Sequence, residues 1–101
     1  MAVDDPDDVA LQRNVSTAHH FLGRLRTGEG KLEAALAHMT ELLHIREQLA
    51  ARDPASRIFR RDVAVGLDMR GGALRRLGRD EEALEHHRRA NAGAETTPTV
   101  T

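Results

Sequence analysis

Apolar residues along this chain recur at helical spacing, in four blocks separated by glycine or proline. The first block predicts a helix from about Asp8 to Thr27, with Val15, Phe21 or Leu22, and Leu25 as its apolar stripe. Gly28-Glu29-Gly30 then breaks it, because glycine loses more conformational freedom in a helix than any other residue. A second helix is expected from Leu32 to Ala51, with Leu32, Ala35, Leu36, Met39, Leu42, Leu43 and Leu49 at helical spacing. Asp53-Pro54 ends it, since proline pushes the preceding residue out of the helical region. The third helix is expected from Ser56 to Leu77, with Phe59, Val63, Leu67, Leu74 and Leu77 inward and Gly78 at its end. The fourth, from Asp80 to Ala92, carries Ala83, Leu84 and Ala90. Asp80 is its expected N-cap, and Glu81 and Glu82 suit the positive helix start.

No stretch alternates with the period of a strand. The expected fold class is therefore all-α: two antiparallel helical hairpins, 8–52 and 56–92, stacked as a short α-solenoid. Residues 1–7 read as a linker-like segment. Residues 93–101 read as a disordered tail with nothing to bury.

The two hairpins are copies of one unit. A shift of 48 places Asp5-Pro6 on Asp53-Pro54, Arg13 and Val15 on Arg61 and Val63, Gly23 on Gly71, and Gly30 on Gly78. It also places Glu33, Ala35, Leu36 and His38 on Glu81, Ala83, Leu84 and His86. Matched glycines and a matched Asp-Pro weigh more than matched helix formers, because they punctuate structure.

At these residues the chain resembles the tetratricopeptide repeat family. The family places a Leu-Gly pair in the first helix, a turn glycine seven residues on, and an Ala-Leu pair early in the second helix. Leu22-Gly23, Gly30 and Ala35-Leu36 match in the first copy; Gly71, Gly78 and Ala83-Leu84 match in the second. The long second helix resembles an extended bacterial form of the repeat. Departures are clear: His19 and Leu67 stand where the family has a large aromatic, Arg26 and Leu74 where it has tyrosine, and Arg70 where it has leucine.

The resemblance implies a module that binds a protein or peptide in a groove lined by the first helix of each hairpin. It assigns Thr17, His20, Arg24 and Thr27 to that groove, with Val65, Asp68, Gly72, Arg75 and Arg76 from the second copy. Arg24, Arg75 and Arg76 would suit an acidic segment or a free C-terminal carboxylate, because a guanidinium grips a carboxylate with two parallel hydrogen bonds. The plainer reading makes them solvated surface arginines. The Lys and Asn pair that holds terminal carboxylates in chaperone-binding relatives is not visible in this chain.

Composition narrows the function classes. The 101 residues allow one small domain, and Phe21 and Phe59 are the only aromatics, so the core must be aliphatic. The formal net charge of −1 argues against general nucleic-acid binding, which needs a basic surplus. No cysteine is present for disulfides or thiolate zinc sites. The first residues, MAVDDPDD, lack the apolar core of a signal peptide, and no run is apolar enough to span a membrane, so a cytoplasmic protein is expected.

No catalytic pattern stands out. Ser16 and Ser56 lack the context of a nucleophile elbow. Gly28-Glu29-Gly30 lacks the Lys and Ser/Thr of a phosphate-cradling loop, and Gly71-Gly72 falls inside a helix. No cofactor is expected. The histidines carry the alternative function, a small metal-binding helical bundle. His38, Glu41 and His44 share spacings of three on the second helix. Glu82 and His86 lie four apart on the fourth beside His87, and His19-His20 lie on the first. The equivalence of His38 and His86 by the repeat favours a packing or surface role for both.

Two hairpins are few for a solenoid, in which each unit buries its face on the next. The chain is therefore expected to be part of a longer array or to complete itself as a homodimer.

Overall fold

The computed structural model describes residues 8–95. Four helices run in chain order: α1 over Val9–Gly28, α2 over Leu32–Arg52, α3 over Arg57–Arg76 and α4 over Asp80–Glu95. Each packs on its chain neighbours, α1 on α2, α2 on α3, and α3 on α4. The result is an all-α stack of two antiparallel hairpins, a slab of 42 × 39 × 15 Å.

The repeat governs this architecture residue by residue. α1 and α3 are both 20 residues long and start 48 apart, as do α2 and α4. Asp8 caps α1 by accepting from the Leu11 amide at 2.9 Å, and its equivalent Ser56 caps α3 by accepting from the Phe59 amide at 3.1 Å. Such caps satisfy amides that the first helical turn leaves without partners. The turns repeat as well. The Lys31 amide reaches back to the Arg26 carbonyl and the Gly30 amide to Thr27; the Arg79 amide reaches Leu74 and the Gly78 amide Arg75. This is the Schellman closure, which needs a left-handed residue at its end. Gly30 and Gly78 supply it, with φ of 77° and 80°.

Some expectations shift at the helix ends. Asp80 is the first residue of α4 rather than its cap. The Arg79 carbonyl accepts the first helical bond, from Ala83, and the Arg79 side chain forks onto Glu82 at 2.7 and 2.9 Å. α4 continues to Glu95, three residues past its expected end, because the first proline after Pro54 is Pro98. The tail expected from residue 93 is thus helical as far as 95. Residues 1–7 and 96–101 lie outside the described residues.

The core is aliphatic and centred on the inner helices. Leu42 and Leu74 are fully buried. Leu36, Ala73, Leu74 and Ala83 form one cluster with Leu77 against it; Leu43, Leu67 and Ala90 form a second beside Val63 and Ala64. Burying a leucine contributes roughly 1.5–3 kcal/mol, so these few side chains dominate the cohesion. The expected stripe of α1 is not inward. Phe21 is 63 % exposed and Leu25 53 %, with Leu22 also exposed, because α1 has a neighbour on one side only. Leu84, expected inward on α4, is exposed for the same reason at the other end.

Glycine brings the helices close. A Cβ on Gly66 would sit 3.1 Å from Leu42 Cδ2, and one on Gly71 would sit 3.1 Å from the His87 ring and 3.2 Å from His86 Cβ. A Cβ on Gly72 meets nothing within 4 Å. Gly72→Ala should therefore stabilise the protein by about 0.5–1 kcal/mol through helix propensity alone. Gly71→Ala gains the same propensity but must push α4 away, and should melt below Gly72→Ala. Thermal unfolding followed by circular dichroism ranks the two variants. Equal melting temperatures would show that the α3–α4 junction does not require a small residue.

Candidate partner-binding groove

α1, α2 and α3 enclose a groove of about 590 Å³. Helical spacing brings His20, Arg24 and Thr27 to it from α1, and Met69, Gly72, Ala73 and Arg76 from α3. Met39 reaches it from α2. Met39 is buried with its Cε packed over Gly23, where a Cβ would collide with it. Two methionines thus give the groove an adaptable apolar floor, since a thioether side chain is unbranched and polarisable.

The rim is positive. No residue lining the groove is acidic. Arg13, Arg26, Arg79, Arg88 and Arg89 each pair with a carboxylate elsewhere in the fold. Arg24 and Arg76 make no such pair among the described residues. They stand on different helices, Arg24 on α1 and Arg76 on α3. His20 lies beside Arg24, its ring stacked on Phe21 at 5.7 Å between centroids. Burial lowers the His20 pKa from its ordinary value, and the positive charges of Arg24 and Arg46 lower it further.

Five of the residues that the resemblance assigns to the groove come together there: His20, Arg24, Thr27, Gly72 and Arg76. The Thr27 hydroxyl is already engaged, donating to the Gly23 carbonyl at 2.9 Å. Thr17 lies elsewhere. It borders a polar cavity of about 280 Å³ with Arg13, Asn14, Ser16, Arg46 and Asp62, and its hydroxyl donates to the Arg13 carbonyl. Asp68 is turned toward α4, where it accepts from His87 Nδ1 at 2.9 Å. Arg75 and Val65 are exposed but do not line the groove.

The groove lies between α1 and α3, and residues equivalent by the repeat share it only in part: Arg24 and its equivalent Gly72 both line it, as do Gly28 and its equivalent Arg76. Other pairs divide: His20 lines it while its equivalent Asp68 pairs with His87 of α4, and Met69 lines it while its equivalent Phe21 is exposed. Met39 is legible in the sequence only as an apolar helix position, and Met69 is not singled out there.

A second polar centre fixes the helices that carry the groove. Ser16 is 2 % exposed, and its hydroxyl accepts from Arg46 Nε at 2.9 Å. Arg46 also donates from its terminal nitrogen to the Asp62 carbonyl at 3.1 Å. One side chain of α2 thereby ties α1 to α3. Burial lowers the Arg46 pKa, with the Asp62 carboxylate acting in the opposite sense. Neither Ser16 nor Arg46 carried a functional signal in the sequence.

The histidines are spent on helix contacts. His19 Nδ1 and His38 Nδ1 lie 3.0 Å apart, so one must donate and the other accept. His86 accepts from Arg70 at its Nε2 and donates from Nδ1 to the Glu82 carbonyl. His44 and Glu41 are exposed. Among the described residues no three His, Asp or Glu side chains converge on a point that would hold a metal ion. No described helix is long and apolar enough to cross a membrane.

Because the folded state disfavours the charged form of His20, its contribution to stability has a definite sign. That contribution is intact above the ordinary imidazole pKa of about 6.5 and is lost as pH falls through the lowered folded value. Denaturant midpoints measured from pH 7.5 to 5 should fall more steeply for the wild type than for His20→Gln. Parallel curves would mean that His20 is not held near Arg24 in solution. No protein-family model matches this chain, and no curated protein or solved structure matches it significantly.

Proposed function

We propose that this chain is a non-catalytic interaction module of tetratricopeptide type, and that its groove receives an acidic peptide or a free C-terminal carboxylate of a partner protein. The observation that carries the reading is the groove itself: Arg24 of α1 and Arg76 of α3, without carboxylate partners among the described residues, line it together with Met39 and Met69. A guanidinium left without a counter-charge above an apolar floor favours a ligand with both a carboxylate and an apolar side chain. The doubled hairpin, with Gly23 and Gly71 at helix contacts and Gly30 and Gly78 at turns, supports the family likeness. Cys is absent from the chain, and the one hydroxyl lining the groove, that of Thr27, donates to the Gly23 carbonyl.

The groove reading separates arginines that look alike in the sequence. Arg24→Glu or Arg76→Glu should weaken binding of an acidic peptide by about tenfold or more, the loss of one charge-assisted contact. Arg75→Glu, outside the groove, should change it far less. Fluorescence anisotropy with a labelled acidic peptide library, run on variants whose circular dichroism is unchanged, measures all three. Equal losses at Arg24, Arg75 and Arg76 would mean diffuse surface charge and would defeat the proposal.

Binding should also respond to pH. A bound carboxylate favours charged His20, whose pKa is lowered in the empty groove. Complex formation should take up a proton, and affinity should rise as pH falls below about 6.5 while the ligand carboxylate stays ionised. Calorimetry in buffers of different ionisation heat reads the uptake directly. Its persistence in His20→Gln would assign it to another group.

A further inference from the structure

The molecule makes one contact internally that its two ends are built to make again. A shift of 48 places Ala18, Leu22 and Leu25 of α1 on Gly66, Arg70 and Ala73 of α3. Those three α3 residues are where α2 lies. Gly66 is packed against Leu42 and Leu43, Arg70 Nε donates to Thr40 Oγ1 at 2.8 Å, and Ala73 clusters with Leu36. On α1 the same face is bare. Leu25 is 53 % exposed, with Leu22 and Ala18 exposed beside it. At the other end of the stack, the shift places Leu36 of α2 on Leu84 of α4. Leu36 is buried against Ala73, whereas Leu84 is 58 % exposed. The exposed leucines at the two ends are therefore the two halves of the α2–α3 contact, presented separately.

We propose that a second copy of this chain docks its α4 on α1, so that Leu84 of one copy meets Leu25 of the next as Leu36 meets Ala73 within a copy. A two-fold pairing of α1 with α1 would leave Leu84 uncovered, whereas the head-to-tail contact covers both exposed ends with one interface. Such a contact is heterologous and does not close on itself, so copies add in a row. The junction also makes a new groove. Asp68 and Arg75 of one copy, which face away from the internal groove, would stand across from Phe21 of the next, the equivalent of Met69. The inference does not depend on what the internal groove binds.

Head-to-tail assembly has a signature that other arrangements lack. Wild-type chain should show a mass in sedimentation velocity that rises with concentration. Leu84→Arg should be monomeric alone, and so should Leu25→Arg; both sites are exposed, and circular dichroism should stay helical. Mixed one to one, the two variants should form a discrete heterodimer of about twice the monomer mass and nothing larger, since each blocks one end and keeps the other. A Leu84→Arg variant that still self-associates would establish an α1–α1 pair instead and overturn the proposal. A wild type that stays monomeric into the millimolar range would overturn it as well, leaving the α1 face to a different chain.

Discussion

Gly23, Gly66 and Gly71 set how near the four helices come to one another. Gly23 of α1 lies under Met39 of α2, Gly66 of α3 lies against Leu42 and Leu43 of α2, and Gly71 of α3 lies against His86 and His87 of α4. Each junction thus matches a residue without a side chain to bulky ones opposite. The approach matters because the chain cannot fill wider gaps. Phe21 is exposed and Phe59 only half-buried, so the interior has leucine and alanine to work with. Close backbones let short aliphatic side chains reach contact distance, where dispersion attraction is collected. Helix crossing positions, core composition and groove width all follow from that spacing.

The groove inherits its definition from the same arrangement. Met39 is pinned over Gly23 and therefore points where α1 and α3 diverge. The separation of α1 from α3 is then held by Arg46, whose guanidinium joins the Ser16 hydroxyl to the Asp62 carbonyl. Removing it would leave a buried hydroxyl without its donor, a loss of about 1–3 kcal/mol. A polar clasp is thus placed to one side of the site, and the apolar floor with its free arginines lies beyond it. Rigid support next to arginines without carboxylate partners is the arrangement that the proposed function would require of a preformed site.

Local chemistry was legible in the sequence, and neighbour-dependent chemistry was not. Asp8 and Ser56, Gly30 and Gly78, and Asp53-Pro54 act within a few residues of themselves, and they fixed the number and order of helices to within one residue at most boundaries. The 48-residue shift carried over from letters to helix starts. Phe21, Leu25 and Leu84 misled because an apolar residue turns inward only when another element is present to cover it. Asp80 misled because Arg79, whose carbonyl opens α4, has no capping residue type to announce it. Ser16 gave no signal, since its burial depends on an arginine 30 positions away. Of the residues that the resemblance assigned to a groove, His20, Arg24, Thr27, Gly72 and Arg76 line one cavity together. Asp68 lies outside the groove because it is engaged by His87 of α4, and Arg75 is exposed without lining it.

α1 packs on α2 and reaches α3 through the Arg13–Asp62 ion pair, whereas α2 and α3 each have two packed neighbours. In a stack whose cohesion is a sum of nearest-neighbour terms, an end helix opens at lower cost than the whole molecule. Amide hydrogen exchange should therefore run through α1 opening well before global unfolding. Yet α1 supplies His20, Arg24 and Thr27, one wall of the groove. Under the proposed function, an occupant that bridges this wall to Arg76 on α3 would clamp an end helix, and part of its binding energy would go into that quieting. Recognition and the integrity of the first hairpin are then one equilibrium, and a partner would be felt as a slowing of exchange along the full length of α1.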